Sequence, residues 1–289
     1  MNIQQQENWK FEAISQILIA FAKNKNLRQS LVFKGALILN KIIPTLRKSL
    51  DIDSNLAAEF ITDHPNPADQ KMFLKKHMEQ AIYEHFESHD PVRFRLQRLK
   101  IDAKPHPRGW NGFLITISLD DNEKKEIRRL PKLQVDVAAP EELSRFSIME
   151  MYIDEAKIRA YSLERIAGEK ARAYLSTLPT YLAKIGRTRE TSRIRDLYDL
   201  ARIARERTIS SGSFWEIAGK EFFLACKSRF VDCFGTSSFL EGWKEIEKNY
   251  KESPIIPKDV SFKEVTISII KISEYWEKKG IIPFSFLLP

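Results

Sequence analysis

Leu31-Val32-Phe33-Lys34-Gly35-Ala36-Leu37, then a helical-looking run to Ile43, then Arg47-x-Ser49-x-Asp51-Ile52-Asp53, is the stretch that decides the fold. Three apolar residues ending at a lysine and a glycine read as a short strand and a turn. A glycine turn allows the backbone to approach a phosphate closely. Asp51 and Asp53 stand one residue apart on an extended segment. Strand periodicity points both carboxylates one way and turns Ile52 into a core. Two carboxylates held together repel each other, and a hard divalent cation such as Mg²⁺ relieves the repulsion. The turn and the pair together predict a site for a metal-bound nucleoside triphosphate.

Outward from this stretch the chain alternates in texture. Upstream, Trp9–Ala22 reads as an amphipathic helix with Phe11, Ile14, Ile17, Leu18 and Phe21 on one face. Downstream, Ala36–Ile43 reads as a helix that ends near Pro44, and Asp51–Leu56 as a strand. His64-Pro65-Asn66-Pro67 reads as a loop. Lys71–Glu87 reads as a helix with Met72, Phe73, His77, Met78, Ile82 and Phe86 on its apolar face. Val92–Leu99, Gly112–Leu119 and Leu130–Val137 read as strands, with turns at Pro105–Asn111 and Asp120–Glu123. In the last of these, Leu133, Val135 and Val137 share one face and Gln134 and Asp136 the other. Asp136 would thus be a third carboxylate in the same small sheet. After Pro140 the patterns are helical: Leu163–Leu175, Ile194–Ala204, Phe214–Phe230, Phe239–Tyr250 and Val260–Lys278. The expected class is α+β. Residues 1–150 form an α/β domain, and residues 151–289 form an all-helical C-terminal domain that contributes to the active site.

Composition sets bounds on function. The chain has 289 residues with 43% apolar side chains, which is a globular composition. No run approaches the roughly 18–20 apolar residues of a membrane span. Met1–Lys10 lacks an apolar signal region, and Cys226 and Cys233 are too few for a disulfide framework. A cytoplasmic protein is expected, with no membrane partner. The net charge of +8 fits a polyanionic partner, though it serves solubility equally well.

Three carboxylates on one sheet, Asp51, Asp53 and Asp136, suit two-metal clamping of an in-line displacement on a triphosphate. The plain alternative is three surface aspartates. Ser162 is placed to cap a helix on which Lys170 follows Leu163 and Ile166 on the apolar stripe. An inward lysine beside an acidic site can hold phosphate oxygens; otherwise it is a snorkelling lysine. Asp196 lines up with Leu200 and Ile203, with Asp199 one turn on. Either aspartate could orient Lys170 or accept a proton from an incoming hydroxyl. Arg187, Arg189, Arg193 and Arg195 form a basic cluster suited to a phosphate backbone, although such clusters are often simply solvated. His85 and His89 have i, i+4 metal spacing but no third ligand, so they read as ordinary surface or core histidines.

The ordered set Lys34-Gly35-Ala36, Arg47-x-Ser49-x-Asp51-Ile52-Asp53, Val135-Asp136-Val137, Glu169-Lys170-x-Arg172-Ala173 and Arg193-x-Arg195-Asp196-Leu197-Tyr198-Asp199 resembles the AbiEii/AbiGii-type nucleotidyltransferase toxins of type IV toxin–antitoxin and abortive-infection systems. The resemblance implies a DNA-polymerase-β-like nucleotidyltransferase fold, a mixed sheet with helices followed by a helical domain. It implies transfer of a nucleotide from an NTP to an acceptor, tRNA in some relatives, with Mg²⁺ or Mn²⁺, and a neighbouring antitoxin. It implies that Asp51, Asp53 and Asp136 hold the metal, and that Lys34, Gly35, Ala36, Arg47, Ser49 and Lys170 contact the nucleotide. Catalysis would rest on the three metal ligands with Lys170 and Asp196. The family's turn usually carries a second glycine and a Ser or Thr, where this chain has Ala36 and Leu37. That departure favours a rival reading, a catalytically degenerate module that binds RNA or protein. A restriction-type nuclease is disfavoured, because no Glu-x-Lys strand follows Asp136.

Overall fold

The structure, a computed structural model, describes residues 1–44, 46–104, 112–127, 129–188, 193–209 and 213–288. The chain divides into two units. The first comprises Met1–Asn40, Lys48–Pro140 and Met149–Ala160, and the second Lys41–Arg47, Glu141–Ile148 and Tyr161–Pro289. The turn Pro105–Asn111 lies outside the described residues.

Among the described residues, seven strands form one mixed sheet: β1 (Leu31–Lys34), β2 (Asp51–Leu56), β3 (Phe94–Lys104), β4 (Gly112–Asp121), β5 (Leu133–Ala138), β6 (Ile148–Ile153) and β7 (Ala156–Tyr161). Their order is β3-β4-β5-β2-β1-β7-β6. The β2–β5 and β1–β7 pairs are parallel; the β1–β2, β3–β4 and β4–β5 pairs are antiparallel. Alternation assigns the faces: Ile52, Ile115, Ile117, Leu133, Val135 and Val137 are buried. Gln134 is exposed and Asp136 half-buried on the other side of β5.

Helix α1 (Ile3–Lys23) opens with a capping box between Asn2 and Gln5, which satisfies donors the helix cannot bond itself. It buries Trp9, Ile14, Ile17, Leu18 and Phe21, and the Trp9 indole N–H donates to Asp121 Oδ2 at 2.8 Å. After two short helices, α2 (Lys25–Ser30) and α3 (Gly35–Ile42), and a third, α4 (Ala58–Asp63), comes α5 (Pro67–Glu87). Asn66 caps α5 and Pro67 occupies its first turn, where no amide hydrogen is needed. It packs on α1 and β3 through Leu74, Met78, Ala81, Ile82 and Phe86. Met72, expected on that apolar face, is exposed.

The largest departure from the sequence reading is the β6–β7 hairpin, where only helices were expected. Its turn at Asp154 takes a positive φ of 53° without a glycine. Lys157 pairs with Glu150 at 2.6 Å across it.

The second unit is helical: α6 (Leu163–Leu175), α7 (Pro179–Lys184), α8 (Ile194–Glu206), α9 (Ser213–Arg229), α10 (Thr236–Phe239), α11 (Trp243–Glu252) and α12 (Phe262–Lys278). Helix α6 packs on α8 and α9. A Cβ at Gly168 would lie 2.5 Å from the Phe222 backbone nitrogen, so the α6–α9 crossing requires a residue without a side chain there. Trp215, Phe222, Phe239 and Trp276 form the aromatic centre, with Phe222 and Trp276 stacked at 4.8 Å. The helix expected over Phe239–Tyr250 is two, separated at Gly242 with φ 67°. Cys226 and Cys233 are buried free thiols. No helix among the described residues is long and apolar enough to cross a membrane.

Candidate active site

The aspartates are placed by register. Lys34 of β1 pairs with Asp53 of β2, and Asp53 pairs with Asp136 of β5. Residues directly opposite in a sheet share a face, and Asp51 joins them by strand alternation. The structure therefore puts Lys34, Asp51, Asp53 and Asp136 on one face, opposite buried Ile52 and Val135. By the strand spacing, the Asp53 and Asp136 backbones stand about 5 Å apart.

Gly35 sets the geometry beside Asp53. Its φ is +78°, and a Cβ built on it would lie 2.2 Å from Asp53 Oδ2 and 2.8 Å from Asp53 Cβ. The turn is glycine because backbone and carboxylate share that space. Asp136 is held by the Lys104 ammonium at Oδ2, a contact between residues far apart in sequence that no local signal announces. Among the described residues, no group of three or more Asp, Glu, His or Cys side chains already surrounds a point suited to a metal. The donor chemistry nevertheless fits a hard cation: carboxylates on adjacent positions of one face, one of them already drawing a cation. Of the remaining residues of this stretch, Ser49 is buried and its hydroxyl donates to the Asp51 carbonyl at 3.3 Å. Ala36 is half-buried, and Leu37 is packed in the core.

A second constellation lies within the helical unit. Lys170 on α6 donates to Asp196 Oδ1 at 3.0 Å and Asp199 Oδ2 at 2.5 Å, both on α8. Arg47 forms a two-pronged pair with the same Asp199, Nε to Oδ1 at 3.1 Å and the terminal nitrogen to Oδ2 at 2.6 Å. All four side chains are buried. Two cations and two anions thus neutralise one another, as burial requires. Burial acts to lower the Lys170 pKa, but Asp199 and Asp196 outweigh it and hold the ammonium charged. Burial acts to raise the Asp196 pKa, but Lys170 and Arg193 outweigh it and keep the carboxylate ionised. A carboxylate held this way is a weak base, so Asp196 is better suited to positioning Lys170 than to taking a proton. Asp199 is the hub, bonded to both Arg47 and Lys170.

The same helix α6 carries Arg165, fully buried. It donates to Glu141 Oε2 at 2.8 Å and Glu221 Oε2 at 3.2 Å, while Ser147 donates to Glu221 at 2.6 Å. This network ties Glu141–Ser147 to α6 and α9 and fixes the helix that presents Lys170. Its partners lie 24 and 56 residues away in the chain, so no local pattern announces the network. Of the basic cluster, Arg187, Arg193 and Arg195 are exposed, Arg193 reaches Asp196 at 3.4 Å, and Arg189 lies outside the described residues. His85 is buried and bonded to Gln16 at 2.9 Å. His89 Nδ1 bonds to the His85 carbonyl at 2.7 Å, consistent with ordinary histidines.

Comparison with known proteins fits this geometry. A solved structure of a candidate nucleotidyltransferase from H. pylori aligns over 93% of this chain and 96% of that one, at 13% identity and a TM-score of 0.51. JHP933 from Helicobacter pylori aligns over 91% of this chain and 90% of that one, at 14% identity and a TM-score of 0.49. The first likeness is one of fold, a nucleotidyltransferase-like α+β arrangement. No curated protein matches the chain. The family model for the nucleotidyl transferase AbiEii toxin of type IV toxin–antitoxin systems matches residues 16–260. With most of its length matched, the chain belongs to the AbiEii nucleotidyltransferase toxin family.

Proposed function

We propose that this nucleotidyltransferase moves a nucleotide from an NTP to the 3′ end of an RNA, tRNA in the first instance, and does so with Mg²⁺ or Mn²⁺. The observation that carries the reading is the row Lys34, Asp53, Asp136 across three strands, with Asp51 beside it and Gly35 packed on the Asp53 carboxylate. Asp51, Asp53 and Asp136 would hold the metal, which when bound neutralises triphosphate charge and lowers the pKa of the attacking hydroxyl. In the proposed reaction the acceptor oxygen forms a bond to the α-phosphorus. The bond to the bridging oxygen breaks, pyrophosphate leaves, and the hydroxyl proton passes to a carboxylate of the trio. Lys34 and the Gly35–Ala36 turn bind the phosphates. Within the helical unit, Lys170 is proposed as a phosphate-binding cation, oriented by Asp196 and Asp199, with Arg47 acting through Asp199. As a toxin the enzyme would be held in check by a cognate antitoxin, and its place of action is the cytoplasm.

Leu37, buried where relatives carry a hydroxyl, favours a second reading in which the fold binds RNA or protein without chemistry. A screen of the four α-labelled NTPs against total RNA separates the two. Labelled RNA that requires divalent metal is the expected result; RNA binding with no label under any nucleotide or metal would leave only the binding module.

A further inference from the structure

The sheet face that carries the aspartates extends well past them. The register runs one row from edge to centre: Lys100 of β3, Thr116 of β4, Gln134 of β5, Asp51 of β2. A parallel row begins at Arg98 and continues to Ser118. Arg98, Lys100 and Gln134 are exposed and Thr116 and Ser118 half-buried, whereas the opposite face of the same strands is core. In that row Thr116 and Gln134 stand between Lys100 and Asp51; the adjoining row runs from Asp102 through half-buried Leu114 to Asp136.

Arg98 is on this face because of an irregularity. The β3–β4 register shifts between Leu96 and Arg98. Leu96 pairs with Leu119 on the core side, and simple alternation would send Arg98 there too only if no extra residue intervened in the count from Arg95. With Gln97 bulged, both Arg95 and Arg98 fall on the open face although they are three apart. Bulges of this kind re-aim side chains, and they concentrate near active sites. Arg98 has no ion pair or hydrogen bond among the described residues. Among the described residues Lys100 pairs with its half-buried neighbour Asp102, at 2.8 Å. Arg95 faces Asp120 across the ladder and is less available.

Distance identifies the occupant. Three strand spacings separate Lys100 from Asp51, roughly 14 Å. A nucleoside triphosphate whose phosphates sit on the aspartates has no phosphate left to meet cations at that distance; a nucleic-acid strand running across the face does. We propose that the open face of β3, β4 and β5 seats the sugar–phosphate backbone of the acceptor nucleic acid, with Arg98 and Lys100 as its phosphate contacts and Thr116, Ser118 and Gln134 as neutral hydrogen-bonding groups beneath it. This deepens the reading of an RNA acceptor and rests on it. Charge on an edge strand also blocks strand-to-strand aggregation, but any charge would serve that purpose, and it would confer no dependence of RNA binding on these two residues.

The test is fluorescence anisotropy with a labelled short single-stranded oligouridylate, without NTP or metal, across a KCl series. Three proteins are compared: the natural chain, the double variant Arg98→Gln/Lys100→Gln, and a charge-matched control, Lys244→Gln/Lys248→Gln, on exposed positions of α11. The double variant should bind roughly tenfold more weakly, with the slope of log K against log salt shallower by about 1.4, two single-strand phosphate contacts. Its thermal melt should match that of the natural chain. Unchanged affinity and slope in the double variant, or an equal loss in the control, would overturn the inference. The lost contacts should appear in transfer assays as a raised acceptor KM with kcat retained. If the natural chain transfers no label while the double variant still loses RNA affinity, the face is upheld and the transferase reading is what fails.

Discussion

Gly35→Ala is the substitution whose consequence the structure specifies most fully. The residue has φ +78°, where an L-amino acid costs roughly 1–2 kcal/mol. The new methyl would lie 2.8 Å from Asp53 Cβ. Carbon atoms in contact prefer about 3.5–4.0 Å, so backbone or side chain must give by about 1 Å. Overpacking of this kind adds about 1–3 kcal/mol. The melt should therefore drop by about 10 °C while the chain still folds. The displacement falls on the Asp53 carboxylate itself, and a misplacement of about 1 Å costs on the order of a hundredfold in rate. Transfer measured well below the melt should thus fall about a hundredfold. Gly35→Asn separates the two effects. Asparagine tolerates positive φ, so its melt should recover part of the loss, but its Cβ meets Asp53 just the same and turnover should stay low. If Gly35→Ala turns over within threefold of the natural enzyme, the turn does not set the Asp53 geometry and the reasoning fails.

Two further outcomes follow from the buried charges. Lys170→Ala strands Asp196 and Asp199 in a buried setting with Arg47 and Arg193 as their remaining cations, a change of about 3–5 kcal/mol in denaturant unfolding. Lys170→Arg keeps the charge, should restore most of that stability, and should recover transfer only in part, because the guanidinium differs in reach and shape. For pH, burial, with His89 and Lys23 nearby, pushes the His85 pKa down to about 4. The unfolded chain, with an ordinary histidine near 6.5, takes up the proton first as pH falls. Stability from this group is therefore complete above about pH 6.5 and lost between there and about pH 4, on the order of 2 kcal/mol. Unfolding of His85→Gln across that range should lack this component.

Much of the site could be read in the sequence because its determinants are local. Asp51-Ile52-Asp53 needs only strand alternation, and Lys170, Asp196 and Asp199 need only helical spacing from Leu163, Ile166 and Leu200. What escaped notice is non-local. Asp136 is joined by Lys104, Arg47 by Asp199 on α8, and Arg165 by Glu141 and Glu221, and each pairing is decided by tertiary packing. The β6–β7 hairpin lacks the Asn-Gly or Asp-Gly signal of a two-residue turn, since Asp154-Glu155 makes the bend without glycine. Met72 reads as part of the apolar face of α5 but is exposed; the packed stripe runs through Leu74, Met78 and Ala81.

The central claim is that Asp51, Asp53 and Asp136 form the metal-dependent nucleotidyl-transfer centre. The most direct measurement is incorporation of α-labelled NTP into RNA by the natural chain, Asp53→Asn and Asp136→Asn, each with Mg²⁺, with Mn²⁺ and with chelator, and with thermal melts alongside. Metal-dependent labelling by the natural chain is expected, with loss of at least a hundredfold in either variant and melts within a few degrees. Labelling by Asp53→Asn and Asp136→Asn at the natural rate, still requiring metal, would contradict it.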